Sequence, residues 1–321
     1  MGNITQKITV NGCPKLTNIT CDRPILPRLI SITNNLELLS VPEFESAVYH
    51  NMKAAFKNNP KLDMNTEAFN LAGDCSEMFM NTGITVLHIY DDGITNLKSF
   101  ADNASTRETL QEVHINGTLE TCTDFSRAFA VNTALKKCDM SGVDFGNATS
   151  VNEMFYACGQ LTTVGMNFAT MGDKMSNISA MFATSGITDD IILPTSMPKL
   201  NNAIYLCSPY TKKLVLPNSE TLMFVDQNYR IMLDNATSLE YLEWPNFTNN
   251  ENNTSINFTS NTKLGTGSDE NLQAFKRLFA NAFDRKTAGY RVCTVRLAAP
   301  QKALLTAEEI TAFENKGYKI A

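Results

Sequence analysis

Apolar residues recur along this chain in two linked patterns rather than in long helical or strand-like runs. The first is an apolar–aromatic pair, clearest as Met78-Phe79, Met154-Phe155 and Met181-Phe182. Weaker copies are Ala55-Phe56, Ser99-Phe100 and Ala128-Phe129, and Leu206-Cys207 and Leu233-Asp234 are degenerate ones. From Phe56 to Leu233 the pairs advance by about 25 residues per step. The second pattern follows each pair and reads Leu-x-x-apolar-x-apolar. It occurs as Leu16-Ile19-Cys21, Leu36-Leu39-Val41, Ile84-Leu87-Ile89, Leu110-Val113-Ile115, Leu135-Cys138-Met140, Leu161-Val164-Met166 and Leu239-Leu242-Trp244. Leu110, Leu135 and Leu161 are spaced by 25 and 26 residues. Ile187 continues the series with its strand shifted by one residue.

A fixed period of this length signals a repeat architecture. A short alternating strand buries one face only. The pair is expected on a short helical or turn segment, opened by polar starters such as Thr149-Ser150 and Ser176-Asn177. One coil of strand plus turn cannot enclose a core, whereas stacked coils pair their strands and align Leu, Met and Phe into internal ladders. The expected fold is an α/β repeat solenoid: a leucine-rich-repeat-like, right-handed stack of about eleven coils at ~4.8 Å spacing, ending in a C-terminal helical cap.

Four regions follow. Residues 1–50 read as N-terminal coils or cap, and residues 51–245 as the core solenoid. Residues 246–270, rich in Asn, Thr, Ser and Gly, read as a loop or insertion. Residues 271–321 read as a last coil and helical cap. Within that cap, helical periodicity covers 271–280, Val292-Thr294-Val295-Leu297 is strand-like, and Thr306 with Glu309 forms a capping box. The helix it opens runs to about Asn315. Gly317 supplies the stop, and Tyr318-Lys319-Ile320 adds a short strand.

The stretch Asn152-Glu153-Met154-Phe155-Tyr156-Ala157-Cys158-Gly159-Gln160-Leu161-Thr162-Thr163-Val164 resembles the BspA-like leucine-rich repeat family. Its pattern is Met-Phe, a turn containing Cys, then Leu-x-x-Leu-x-apolar. Asn177-Ile178-Ser179-Ala180-Met181-Phe182 is similar, and the resemblance is clear from about Asn51 to Leu216. It implies a curved solenoid of the kind found on bacterial and some protist surfaces and in phage structural proteins, generally engaged in adhesion. It implies no catalytic residue.

Charge and chemistry narrow the function classes. A net charge of −6 argues against nucleic acid, which asks for a basic stripe. No apolar run approaches the ~20 residues of a bilayer-crossing helix, so no membrane insertion is expected. Met1 to Lys7 lacks the features of a secretory signal. The expectation is that a signal has been removed or that the protein reaches its site without one, as a virion component assembled inside a host would. The eight cysteines contain no Cys-x-x-Cys pair, which disfavours zinc. Buried free thiols are preferred over disulfides, because Cys21 and Cys138 fall at core positions. Gly265-Thr266-Gly267 lacks the Lys of a phosphate-binding loop. Asp91-Asp92 and Asp189-Asp190 read as turn formers. No Gly-x-Ser-x-Gly nucleophile elbow is present.

The outward slots of the strands remain. These are Val86, His88 and Tyr90; Glu112, His114 and Asn116; Lys137, Asp139 and Ser141; and Tyr241 and Glu243. His88, His114 and Asp139 fall in one row that suits a metal or acid/base pair, although solvated strand residues give the same pattern. His50 is isolated. The expected function is non-enzymatic surface recognition or adhesion, with no cofactor. Its partners would be a protein or glycan on a cell surface, or other virion proteins, with an extracellular, cell-surface or virion location. The alternatives are a fibre or decoration protein of a phage of gut bacteria and, distantly, a carbohydrate-active enzyme.

Overall fold

A computed structural model describes residues 7–103, 109–201, 203, 205–217, 233, 235–245 and 255–321. The readings made on Met1–Gln6, on Asp234 and on the Asn246–Thr254 half of the Asn/Thr-rich stretch lie outside the described residues. The fold is a parallel β-solenoid of about eleven turns with few helices. The chain divides into two compact units, Met1–Asn167 and Phe168–Ala321.

The first unit contains β1 (Ile8–Asn11), β2 (Ile30–Thr33), β3 (Ala47–His50), β4 (Phe69–Asp74), β5 (Val86–Asn96), β6 (Glu112–Asn116) and β7 (Lys137–Cys138). All strand pairings among the described residues are parallel; β1 joins β2, and β3 to β7 form one sheet in sequence order. Each strand sends alternate residues inward. Leu71, Leu87, Ile89, Val113 and Cys138 are buried in the sheet's inner row. Leu161, Val164 and Met166 are also buried, but form no strand; Met140 N–H donates to Val164 O at 2.8 Å and carries the stacking there.

Opposite the strands, the apolar–aromatic pairs line the core. Phe56 stacks on Phe79 with ring centroids 5.6 Å apart, and Phe129 on Phe155 at the same distance. The pairs sit on turns rather than helices. In each of these coils the residue before the pair lies in the left-handed region: Ala54, Glu77, Ser99, Arg127 and Glu153, with φ of 52–59°. Such a residue cannot continue a right-handed helix. The first four of these N–H groups donate to the next coil at 2.8–2.9 Å. This row corrects the reading of Ser99-Phe100. Ser99 is the left-handed residue, so Phe100 occupies the Met position and Ala101 the Phe position.

The first coils differ most from the pattern. Cys21, expected in the core, is exposed, and Leu16 and Ile19 are only half-buried. Among the described residues β1 pairs with β2 alone, so this coil is covered from one side. Leu36 and Leu39 also point outward, and Leu38 is buried in their place. Three leucines in four residues offer two frames. The turn closed by Leu38 N–H on Asn35 O selects the frame between them.

The second unit carries β8 (Ile191–Ile192), β9 (Lys213–Val215), β10 (Tyr241–Glu243), β11 (Ser255–Asn257), α1 (Asp269–Ala280), β12 (Cys293–Arg296), α2 (Ala299–Lys302), α3 (Ala307–Asn315) and β13 (Tyr318–Ile320). Two three-stranded parallel sheets result, β10-β9-β8 and β11-β12-β13. Ile191 and Leu193 are buried while Ile192 is exposed, which is the one-residue shift expected after Ile187. Part of the Asn/Thr-rich stretch packs as a coil: β11 pairs with β12, and Phe258, Asn261 and Leu264 are buried. Ser268 caps α1, and Thr306 and Glu309 form the reciprocal box at α3. Gly317 follows α3 at φ 93°, where a Cβ would meet the Lys286 nitrogen at 2.9 Å. Val292 lies outside its strand and is exposed. Helix α1 packs on β10 and α3, and α3 on β13.

Candidate functional site

The five-stranded sheet of the first unit presents its outer face to solvent. Register places Val86 beside Glu112, His88 beside His114, and Tyr90 beside Asn116. Glu112 is in turn beside Lys137. The row of Tyr90 continues through Asn70 to Val48 on β3. Parallel strands held in register bring identical slots to one strand spacing, and the two imidazoles stack with centroids 4.9 Å apart and planes 16° from parallel. Tyr90 extends the strip, its ring centroid 6.4 Å from that of His88.

Each imidazole faces a carboxylate. His88 Nε2 lies 3.7 Å from Glu67 Oε1, and His114 Nε2 lies 3.0 Å from Glu112 Oε2. Lys137 Nζ approaches the same Glu112 oxygen at 3.6 Å. The backbone is fixed beneath: His88 N–H donates to Thr66 Oγ1 at 2.8 Å.

Asp139 does not complete a histidine row. Its carboxylate accepts the Ser141 N–H at 2.9 Å, and this hydrogen bond lowers its pKa while both residues stay exposed. No group of three or more potential metal ligands occurs among the described residues. Tyr241 and Glu243 belong to the second unit, and Tyr241 is buried rather than outward. Its hydroxyl donates to Glu243, and Lys213 Nζ sits 4.2 Å from its ring centroid. Burial, then the bond to Glu243, pushes this phenol up to about 12. Glu243 also takes Arg277 at 2.8 Å, so this pair forms a local ion cluster.

Other singled-out residues have structural partners. Asp91, expected in a turn, instead lies within β5 beside its register shift with β4, where it accepts Gly93 and Ile94 N–H on one oxygen and Leu119 N–H on the other. Gly265 and Gly267 have positive φ and lead into α1, whose first turn carries Asp269 and Glu270. Those carboxylates oppose an anion at that helix end.

Two features of the face escape the repeat pattern. His50, with no repeat slot in the sequence, lies exposed on β3 of the same sheet, paired in register with Ala72. Beside the histidine strip are two adjoining clefts of about 310 and 480 Å³. They share a wall of Asp63, Met64 and Asn65; His88 and Val86 line the smaller, and Pro42 and Glu43 the larger. The wall precedes β4, in a connecting segment where the ladder pattern assigns no residue. The only sequence signal for it is position, in the coil before His88.

The chain matches no protein-family model, and no curated protein or solved structure matches it significantly.

Proposed function

We propose that the chain is a non-enzymatic recognition module that engages a cell surface through the outer face of β3–β7. One observation carries this reading: His88, His114, Tyr90, Glu112, Asn116 and Val86 are held in register on a sheet face that remains open to solvent, beside two clefts. A five-stranded parallel ladder fixes such side chains at little conformational cost on binding, which favours preorganised recognition. The BspA-like resemblance supports the same role, with a right-handed leucine-rich-repeat stack and an extracellular, cell-surface or virion setting. Helices α1 and α3 would close the second unit's stack, as solenoid ends require. A fibre or decoration protein in a phage particle would use the same face against virion partners.

The test is binding of the intact protein to a cell-surface and glycan array, beside a His88→Ala/His114→Ala variant. Saturable binding that falls at least tenfold in the variant, about 1.4 kcal/mol, is the expected result. Binding unchanged by the double substitution removes this face from the function. No binding to any surface turns the reading towards an assembly component.

A further inference from the structure

The clefts beside the histidine strip have a one-sided charge. Their lining includes the carboxylates of Glu43 and Asp63 and no lysine or arginine. Glu67, exposed, adds a third carboxylate at the edge where it meets His88. Asp63 is held in place by Thr85, whose N–H donates to it at 3.1 Å, so its charge is positioned rather than free to swing. Between the acids the lining is mixed: Asn65, Ser40, Thr85 and His88 are polar, while Met64 is half-buried, Val86 is exposed, and Pro42 and Phe44 supply buried apolar surface in the larger cleft.

Apolar patches beside three carboxylates, one of them held in place, suit a side chain with an aliphatic stem and a cationic head. A neutral sugar gains nothing from the net negative potential, and an acidic ligand is repelled by it. The two clefts adjoin through a shared wall, so successive side chains of an extended segment can occupy both. We infer that the Glu43–Asp63–Glu67 clefts receive a lysine- or arginine-bearing extended segment of a protein partner. This rests on the recognition reading above and names the chemistry of the partner for that face.

The probe is a fluorescein-labelled hexalysine peptide, titrated into the full chain and followed by anisotropy. The same peptide with acetylated lysines is run beside it. A Glu43→Gln/Glu67→Gln variant is compared with Asp22→Asn/Glu120→Gln, which removes equal charge at exposed positions that line neither cleft. Saturable binding is expected, at least about tenfold weaker in the cleft variant and changed by less than about twofold in the control. Acetylated peptide should not bind. Equal losses in both variants would mean attraction to net charge alone and would overturn the inference, as would no loss in either or no hexalysine binding at all. A chain that binds surfaces through His88 and His114 yet ignores hexalysine keeps the recognition reading and loses this one. A chain that binds hexalysine in the clefts but whose surface binding ignores the histidines loses the earlier reading instead.

Discussion

Arg127 shows how much one residue can carry between coils. Its Nε donates to Asp102 Oδ2 at 2.7 Å, a second guanidinium nitrogen reaches Asp102 Oδ1 at 3.2 Å, and a third contacts Glu153. Asp102 and Glu153 lie in the coils on either side, and the Asp102 side chain is only 3% exposed. The bond to Asp102 raises the Arg127 pKa above its ordinary value. Removing the guanidinium leaves a buried carboxylate without this cation. Arg127→Met is therefore expected to destabilise the first unit by about 3 kcal/mol. Pairing it with Asp102→Leu should recover part of that loss, because the desolvated charge is then gone as well. Urea unfolding of the two variants checks the order; equal stability of the single variant and the parent would show the clamp to be energetically idle.

Among the described residues, a side-chain donor three positions after the aromatic slot ties four coils together. Asn59 Nδ2 donates to Phe56 O at 2.7 Å, Thr82 Oγ1 to Phe79 O at 2.8 Å, Asn132 Nδ2 to Phe129 O at 2.9 Å, and Ser185 Oγ to Phe182 O at 2.7 Å. Asn59 and Asn132 also reach a carbonyl of the preceding coil, Ile32 and Ala101. All four side chains are buried, so the carbonyls have no easy recourse to water. Asn132→Ala strips Ala101 O and leaves Phe129 O with only the weak Cys158 Sγ donor at 3.2 Å, and should cost about 2 kcal/mol, seen as a lower urea midpoint at unchanged slope. Thr82→Val, which frees one carbonyl, should cost less. The contrast marks where the sequence is readable. Apolar ladder positions announce themselves because only a few residue types fill a core at a 25-residue beat. The donor row does not, since amide and hydroxyl serve alike and share no residue identity. The left-handed residue before each pair is equally hidden, being Ala, Glu, Ser or Arg. That is why the sequence leaves helix and turn open for the pair, and why it sets Phe100 one slot late. The histidine stack was legible because a ladder fixes neighbours, whereas the Asp63–Asn65 wall lies where the ladder assigns nothing.

At the scale of the whole molecule, the thiols report on folding and also set its alkaline limit. None of the eight cysteines is paired: Cys13 and Cys21 are exposed, and the other six are buried. Burial pushes the thiols of Cys75, Cys122, Cys158 and Cys207 up to about 12, that of Cys293 to about 11, and raises Cys138 as well. Two thiols per chain should therefore react with a disulfide reagent at pH 8, and six only on unfolding. The pH dependence follows from the direction of the shifts. The folded chain holds these protons to higher pH than the unfolded chain, which releases them from about pH 8.5 upward. Below that value the contribution to stability is complete. Above it, each buried thiol removes up to about 1.4 kcal/mol per pH unit until its folded pKa is reached. The expected outcome is a thermal midpoint that falls steeply above pH 9 and a native state lost well before pH 12. Cys75, Cys122, Cys138 and Cys158 lie in the first unit and Cys207 and Cys293 in the second, so alkaline labelling read by peptide mass also tells which unit opens first. Cys75→Ser/Cys122→Ser, which removes two of the titrating groups from the first unit, should shallow the fall in stability there. A midpoint flat to pH 11 would show that the thiols do not govern the alkaline limit.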